Sequence, residues 1–411
     1  MLVMAACSGG DVDGEPADNT ASESTALVAM IGTDGNVRVY DRVTGVTTDV
    51  TSNAGLRRVY SQPTWSPDGT LLAFVESTVP VGGIQAAGPA LQVGLRAQSP
   101  SRGSVHIASV TGGKTAVITT PFSPFYMYWS PNGAQLAFLG NDASLPGQGF
   151  GLIDIATNSV ERVDFGQPYF FAWSPSSDRL LVHAENRMLY YLALDGSKEV
   201  LDVTPGLFTA PGWYGDTQLY PVIEGRRQIL RLRTAEGTTL RDATDFGSAI
   251  APGLSPEGGR VAFIEIGEDA NAFALGPLMV NTPAATIEIS EMAAAFFWSA
   301  NGAKLLYLTP DVGGEHFALR WNVWDGTGSK AFERFLPTAT FFQHYLPFFA
   351  QYANSHSFFS PDGDSFTFAG TIEGRGEGIW IQNTVGDPVA ELIGPGKFST
   401  WAPDSFDPDG R

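Results

Sequence analysis

Residues 64–74 read TWSPDGTLLAF, an aromatic residue, a four-residue turn signature and a short apolar run. Proline presets φ for the second turn position, aspartate suits the third, and glycine adopts a left-handed conformation at little cost. The combination predicts a tight connection between two antiparallel strands. The same phrase returns as WSPNG at Trp129, WSPSS at Trp173, LSPEG at Leu254, WSANG at Trp298, FSPDG at Phe359 and WAPDS at Trp401, with a weaker copy, WYGDT, at Trp213. Successive anchors lie 64, 44, 40, 41, 44, 61 and 42 residues apart. The two long intervals fit the same unit carrying an insertion of about 20 residues.

Each turn is followed by an apolar run such as LLAFVES, QLAFLGN or RLLVHAE, without clean alternation, as expected of strands buried on both faces. Two further strand-like runs follow in each unit. Four short strands repeated every 40–45 residues predict the blades of a β-propeller, with the anchor aromatics packed between blades. The stretch ALVAMIGTDGNVRVYDRVTGVTTDVT, from Ala26, supplies three strands of a unit, and KFSTWAPD, from Lys397, supplies the missing first strand. The two ends are expected to share one blade and close the ring, which hides exposed strand edges. The fold class is therefore all-β: a single propeller over residues 26–411 with eight four-stranded blades, or seven if the unit around Trp213 is not a true blade.

The WSPDG phrase followed by an apolar strand resembles the TolB-type, WD-like propeller repeat, across nearly the whole chain from residue 26. TolB carries an α/β domain ahead of its propeller. Nothing in this sequence supplies one, so a TolB role in its envelope complex is not implied.

The chain opens MLVMAACSGG. Small residues before Cys7 and Ser-Gly-Gly after it resemble the lipobox of bacterial lipoproteins, with Met4 where leucine is usual. The resemblance implies lipidation of Cys7. The preceding apolar stretch is shorter than a signal peptide needs, so the recorded start is expected to lie within a longer one; the alternative is an ordinary frayed terminus with a free thiol. Residues 8–25 are polar and aperiodic, a solvated tether. The expected location is the bacterial cell envelope, extracytoplasmic and lipid-anchored, with membrane contact through the anchor alone.

Acidic residues outnumber basic ones 43 to 24, for a formal net charge of -19, which repels nucleic acid and anionic lipid. A single cysteine excludes intramolecular disulfides and cysteine-rich metal motifs. No G-x-S-x-G, H-E-x-x-H or S-x-x-K motif occurs, so no catalytic residue is assigned. His106, His183, His316, His344 and His356 fall in different units without ligand spacing. No metal site and no cofactor is assigned. GRGEG at residues 374–378 precedes a strand, not the helix a phosphate loop requires. Asp404, Asp407 and Asp409 read as turn residues, with calcium the alternative.

Antiparallel connectivity sorts the loops onto two faces. Connections between first and second strands, and between third and fourth, are tight throughout. The long segments, residues 77–103 above all, join second to third strands or one blade to the next, so one face is elaborated. Binding residues favour such loops on a rigid scaffold. The densest candidate is the aromatic stretch with Phe341, Phe342, His344, Tyr345, Phe348, Phe349 and Tyr352, where Pro347 is suited to begin a short helix. Two readings stand: an aromatic platform for a sugar, peptide or lipid tail, or a plug packed over the axial opening. Arg226 and Arg227 lie in a short loop on the same face and could grip a carboxylate or simply be solvated. The sequence thus points to a binding or scaffolding module for a protein or glycan partner; the alternative is a polysaccharide lyase or hydrolase with its active site at the axial opening.

Overall fold

The computed structural model describes residues 26–78, 103–110, 115–142, 144–145, 147–185, 187–247, 249–266, 275–311, 317–386 and 389–403. Cys7 and the tether, most of the 77–103 segment, His316 and the C-terminal aspartates lie outside the described residues.

Among the described residues the strands form six four-stranded antiparallel sheets and one sheet of seven strands. Five of the four-stranded sheets follow chain order, each beginning with the strand that ends at or beside an anchor: Arg58–Trp65, Ser123–Trp129, Tyr169–Trp173, Gly212–Tyr214 and Ala249–Leu254. The sixth joins the two ends of the chain. Leu27–Ile31 pairs with Phe398–Trp401 in the register Val28↔Trp401 to Ile31↔Phe398, so the last strand completes the first sheet. The expected shared blade is formed.

The degenerate unit around Trp213 also builds a full sheet, with Gly212–Tyr214 paired to Thr217–Glu224. The spacing predicts eight separate sheets, whereas seven hydrogen-bonded sheets form. The reason is local: Ser329–Pro337, the last strand of one unit, pairs with Ser365–Ile372 of the next, from Phe335↔Ile372 to Pro337↔Gly370. Ahead of Ser365–Ile372 the first-strand position is held by Phe359, bridged to Phe366.

The anchor-bearing strands follow one another around a ring. Trp129 Nε1 donates to the carbonyl of Thr64 at 3.1 Å, Trp173 Nε1 to that of Tyr128 at 3.1 Å, Trp298 Nε1 to that of Gly253 at 3.2 Å, and Trp65 Nε1 to that of Thr400 at 3.2 Å. In every case the acceptor immediately precedes the anchor of the neighbouring unit. The indole thus fills the seam between sheets and satisfies a carbonyl there, burying an aromatic face worth roughly 1.5–3 kcal/mol. Phe297 meets Phe358 at 4.6 Å and Ser357 bridges Trp401, which carries the ring back to the terminal strand.

The turn has a part that the Pro-Asp-Gly reading omits. Ser66 Oγ donates to Asp68 at 2.6 Å and accepts from the backbone N–H of Leu71 at 2.9 Å. Ser130, Ser299 and Ser360 repeat this bridge with Asn132, Asn301 and Asp362. The serine pins the carboxylate or amide to the far side of the turn, which explains why it accompanies the aspartate. Gly69 sits at φ 66°, and in WSPSS Ser177 occupies the same position at φ 62°.

The second strands are buried over four or five consecutive residues, Leu72–Val75, Leu136–Gly140 and Leu180–Ala184, as their unbroken apolar runs predict. Outer strands such as Val46–Asp49 and Lys198–Val200 are exposed along their length.

Candidate functional site

The link between Ser329–Pro337 and Phe359 is the one helical segment among the described residues. Phe341–Tyr345 forms a π-helical turn, Leu346–Phe348 a 3-10 turn with Pro347 near its start, and Phe349–Tyr352 one α-helical turn. Thr338 Oγ1 tethers its beginning to the carbonyl of Lys397 at 2.6 Å.

Helical winding divides the aromatic residues. Phe341, Tyr345, Phe349 and Tyr352 are spaced by four, four and three residues, the period of one helix face, and all four are buried. They point into the ring. Phe349 packs edge-on against Phe296 at 5.2 Å, Tyr345 stacks on Phe398 at 3.8 Å, and Phe341 meets Trp321 at 6.0 Å. Tyr126 meets Tyr352 edge-on at 5.2 Å. Phe296, Phe398 and Tyr126 belong to the first strands of three units spread around the ring, and Trp321 to the third strand of the unit that begins with Ala295–Trp298.

Hydrogen bonds fix this packing. Gln351 pairs with the backbone of Phe171: its Nε2 donates to the Phe171 carbonyl at 3.1 Å, and its Oε1 accepts from the Phe171 N–H at 3.3 Å. The same Nε2 donates to Tyr126 Oη at 2.9 Å, while Tyr126 Oη donates to the Gln351 carbonyl at 3.1 Å. Tyr352 Oη donates to the carbonyl of Phe125 at 3.0 Å and accepts from Gln62 Nε2 at 3.0 Å. Burial raises the pKa of Tyr126, Tyr345 and Tyr352, so these phenols act as neutral groups. His356, just beyond, is buried with Nδ1 2.8 Å from Ser355 Oγ. Burial pushes its pKa down to about 3, because a charged imidazole there would have no solvation.

Four of the seven residues expected to make an aromatic platform are thus packing residues of a plug: Phe341, Tyr345, Phe349 and Tyr352. The remaining three lie on the opposite side. His344 is exposed, Phe348 is 53% exposed, and Phe342 is half-buried with its ring edge-on to Phe317 at 5.6 Å. Phe317, itself 54% exposed, comes from the neighbouring second-to-third-strand loop. The segment is therefore two-sided, with an inward face that closes the axis and an outward face that presents aromatic rings to solvent.

The two arginines are placed differently, only Arg226 lying in the loop itself. Arg227 opens the Arg227–Thr234 strand and forks onto Asp245, with Nε and Nη2 each 2.7 Å from a carboxylate oxygen. The ion pair runs between neighbouring strands, with Asp245 opposite Ile229, and both of its side chains are exposed. Arg226 is exposed. His106 pairs with Glu76 at 2.8 Å, and His183 is buried with Nδ1 3.1 Å from the Thr209 carbonyl. No group of three or more potential metal ligands occurs among the described residues. No helix among them is long and apolar enough to cross a membrane.

Gln351 and Gln62, central to seating the plug, are not singled out by sequence reasoning. The available signal for Gln351 is a polar residue directly beside the periodic apolar face. For Gln62 there is none: its contact depends on a backbone at φ 58° in the irregular part of the Arg58–Trp65 strand.

No family model matches the sequence, and no curated protein matches it. Among solved structures, the β-propeller domain of the Trilobed protease from Pyrococcus furiosus is similar, at 12% identity and a TM-score of 0.49, covering 83% of this chain and 97% of that one. TolB from Acinetobacter baumannii is similar at 16% identity and a TM-score of 0.37, covering 72% of this chain and 65% of TolB, so the match spans slightly less than two thirds of TolB's length. An oligogalacturonate lyase in complex with manganese is similar at 13% identity and a TM-score of 0.45, covering 72% of this chain and 82% of that one.

Proposed function

We propose that this chain is a binding propeller, lipid-anchored through Cys7 on the extracytoplasmic side of a bacterial envelope, that holds a protein or glycan partner on the outward face of its axial plug. The observation that carries this reading is the two-sidedness of residues 341–352. Phe341, Tyr345, Phe349 and Tyr352 are spent on closing the ring, while Phe342, Phe348 and Phe317 remain at the surface. Exposed aromatic rings on a rigid, hydrogen-bonded support are the chemistry of stacking on sugar faces or anchoring a protein interface. The space that an axial active site would need is filled by the plug, which favours binding over the lyase or hydrolase alternative. The same reading counts eight blades, dividing the seven-stranded sheet between Ser329–Pro337 and Ser365–Ile372. The address rests on the lipobox resemblance alone.

The test is capture of partners from detergent-solubilised envelope, comparing the parent chain with Phe342→Ser and Phe348→Ser together. The proposal expects capture to be lost, with Phe348→Ser alone weakening it at an unchanged melting temperature, since Phe348 is the more exposed of the two rings. Undiminished capture by the double variant would refute the assigned surface. Growth with radiolabelled palmitate tests the anchor separately, and label that persists in Cys7→Ala would refute it.

A further inference from the structure

The elaborated face carries a second concavity, at the entrance to the Arg58–Trp65 strand. Gly55 and Arg58 exchange both backbone hydrogen bonds, at 2.9 and 3.2 Å, so Leu56 and Arg57 stand out at the tip of a two-residue turn. Asn53, Gly55, Leu56, Arg57, Arg58 and Thr78 border a shallow, open depression beside this turn.

The lining is braced from behind. Arg58 Nε donates to Glu76 Oε1 at 2.9 Å, and the other carboxylate oxygen of Glu76 is 2.8 Å from His106 Nε2. Both oxygens are occupied, and Glu76 itself does not line the space. Arg58 is held through Nε, and its two Nη groups have no hydrogen-bond partner among the described residues. Tyr60 Oη donates to Asn53 Oδ1 at 2.7 Å, which fixes the amide and leaves its NH₂ to donate elsewhere. Tyr60, Phe74 and His106 pack together beneath, with ring centroids 5.1–5.7 Å apart. Burial lowers the pKa of His106, so at neutral pH it is uncharged and leaves Arg58 as the cation paired with Glu76.

The side chains around the space offer two guanidinium groups, an amide N–H pair and a hydroxyl, and no carboxylate. In a chain with 43 acidic and 24 basic residues this is a local reversal of charge. We propose that the concavity binds a ligand bearing a single carboxylate, gripped by Arg57 and the free Nη edge of Arg58, with the Asn53 amide donating beside them and the exposed Leu56 covering its apolar part. A carboxylate suits two adjacent guanidiniums, one of them half-committed. A polyanion would meet the repulsion of the whole chain. This site is separate from the outward face of the plug and does not depend on that reading.

Two sources of the group are separable by calorimetric titration of the full chain: N-acetyl-Ala-Ala against its C-terminal amide, and glucuronate against glucose. The proposal expects saturable binding of at least one acid, its uncharged counterpart weaker by about tenfold or more, and a loss of about fivefold or more in Arg57→Ala that Arg57→Lys partly restores. Arg57 is exposed, with no hydrogen bond or ion pair among the described residues, so its removal leaves the fold intact. Tighter binding of the peptide acid assigns a chain end, and tighter binding of glucuronate a sugar acid. No saturable binding of either acid up to about 20 mM, equal affinity for acid and uncharged partner, or an unchanged Arg57→Ala would overturn it.

Discussion

Trp129 and Tyr352 are both buried aromatic side chains, and each donates a hydrogen bond of about the same length to a backbone carbonyl, Trp129 to Thr64 at 3.1 Å and Tyr352 to Phe125 at 3.0 Å. They solve different problems. Trp129 joins one sheet to the next, and the same contact recurs at Trp65, Trp173 and Trp298. Tyr352 belongs to a segment that occurs once and reaches inner strands spread around the ring. Repetition makes the first kind of contact readable from spacing. Reach across the axis gives the second its structural effect and hides it from any local pattern.

The comparison is most strongly tested at the seams. Trp129→Ala opens a cavity between two sheets and strands the Thr64 carbonyl. It is expected to cost about 3–5 kcal/mol in urea unfolding, with native binding at the plug preserved wherever the chain stays folded. A loss under about 1 kcal/mol would show that the seam tolerates truncation and that the anchors are not its main support.

Acid separates the plug from the seams, because the plug is flanked by a buried histidine. His356 is held down to about 3 in the fold and titrates near 6.5 in the unfolded chain. As pH falls below about 6.5 the unfolded chain gains a proton that the native state refuses. The contribution of His356 is therefore constant above that pH, declines as pH falls towards 3, and reaches a loss of about 2 kcal/mol by pH 5. His183, lowered to about 4, adds to the same slope from elsewhere in the ring. In His356→Phe the decline between pH 7 and pH 5 should shrink by about 2 kcal/mol; an unchanged slope would mean that the imidazole is not buried.

Gln351→Ala leaves the Phe171 backbone pair and one bond of Tyr126 unsatisfied at the axis, for an expected loss of about 1–3 kcal/mol. The smallest change is at the surface, where Phe348→Ser should shift stability by less than about 0.5 kcal/mol yet weaken partner capture. Equal destabilisation by the last two would erase the distinction between inward and outward faces.

The recurrent signature made the sheets, the shared terminal blade and the tight turns legible, since each depends on residues close in sequence or on matching ends. Ser66 and its equivalents were legible in position but not in role, because their bridge needs the turn already closed. The aromatic segment was legible as unusual. Its division into two faces rests on the four-four-three spacing of Phe341, Tyr345, Phe349 and Tyr352, a helical period lying within an otherwise all-β pattern. The partners that receive this face, Phe171, Phe125 and Gln62, lie roughly 180 to 290 residues away, and no local signal connects them. The merging of two units through Ser329–Pro337 and Ser365–Ile372 was invisible for a similar reason, since strand pairing between units leaves no mark on either sequence.

Hydroxyl-radical footprinting read residue by residue by mass spectrometry tests the axial plug most directly, because it reports both sides of the segment at once. Phe348 should label readily in the native protein, while Tyr345, Phe349 and Tyr352 stay protected and gain label together only on global unfolding. Labelling of Tyr345 and Tyr352 at the rate of Phe348 under native conditions would show that the segment does not close the ring.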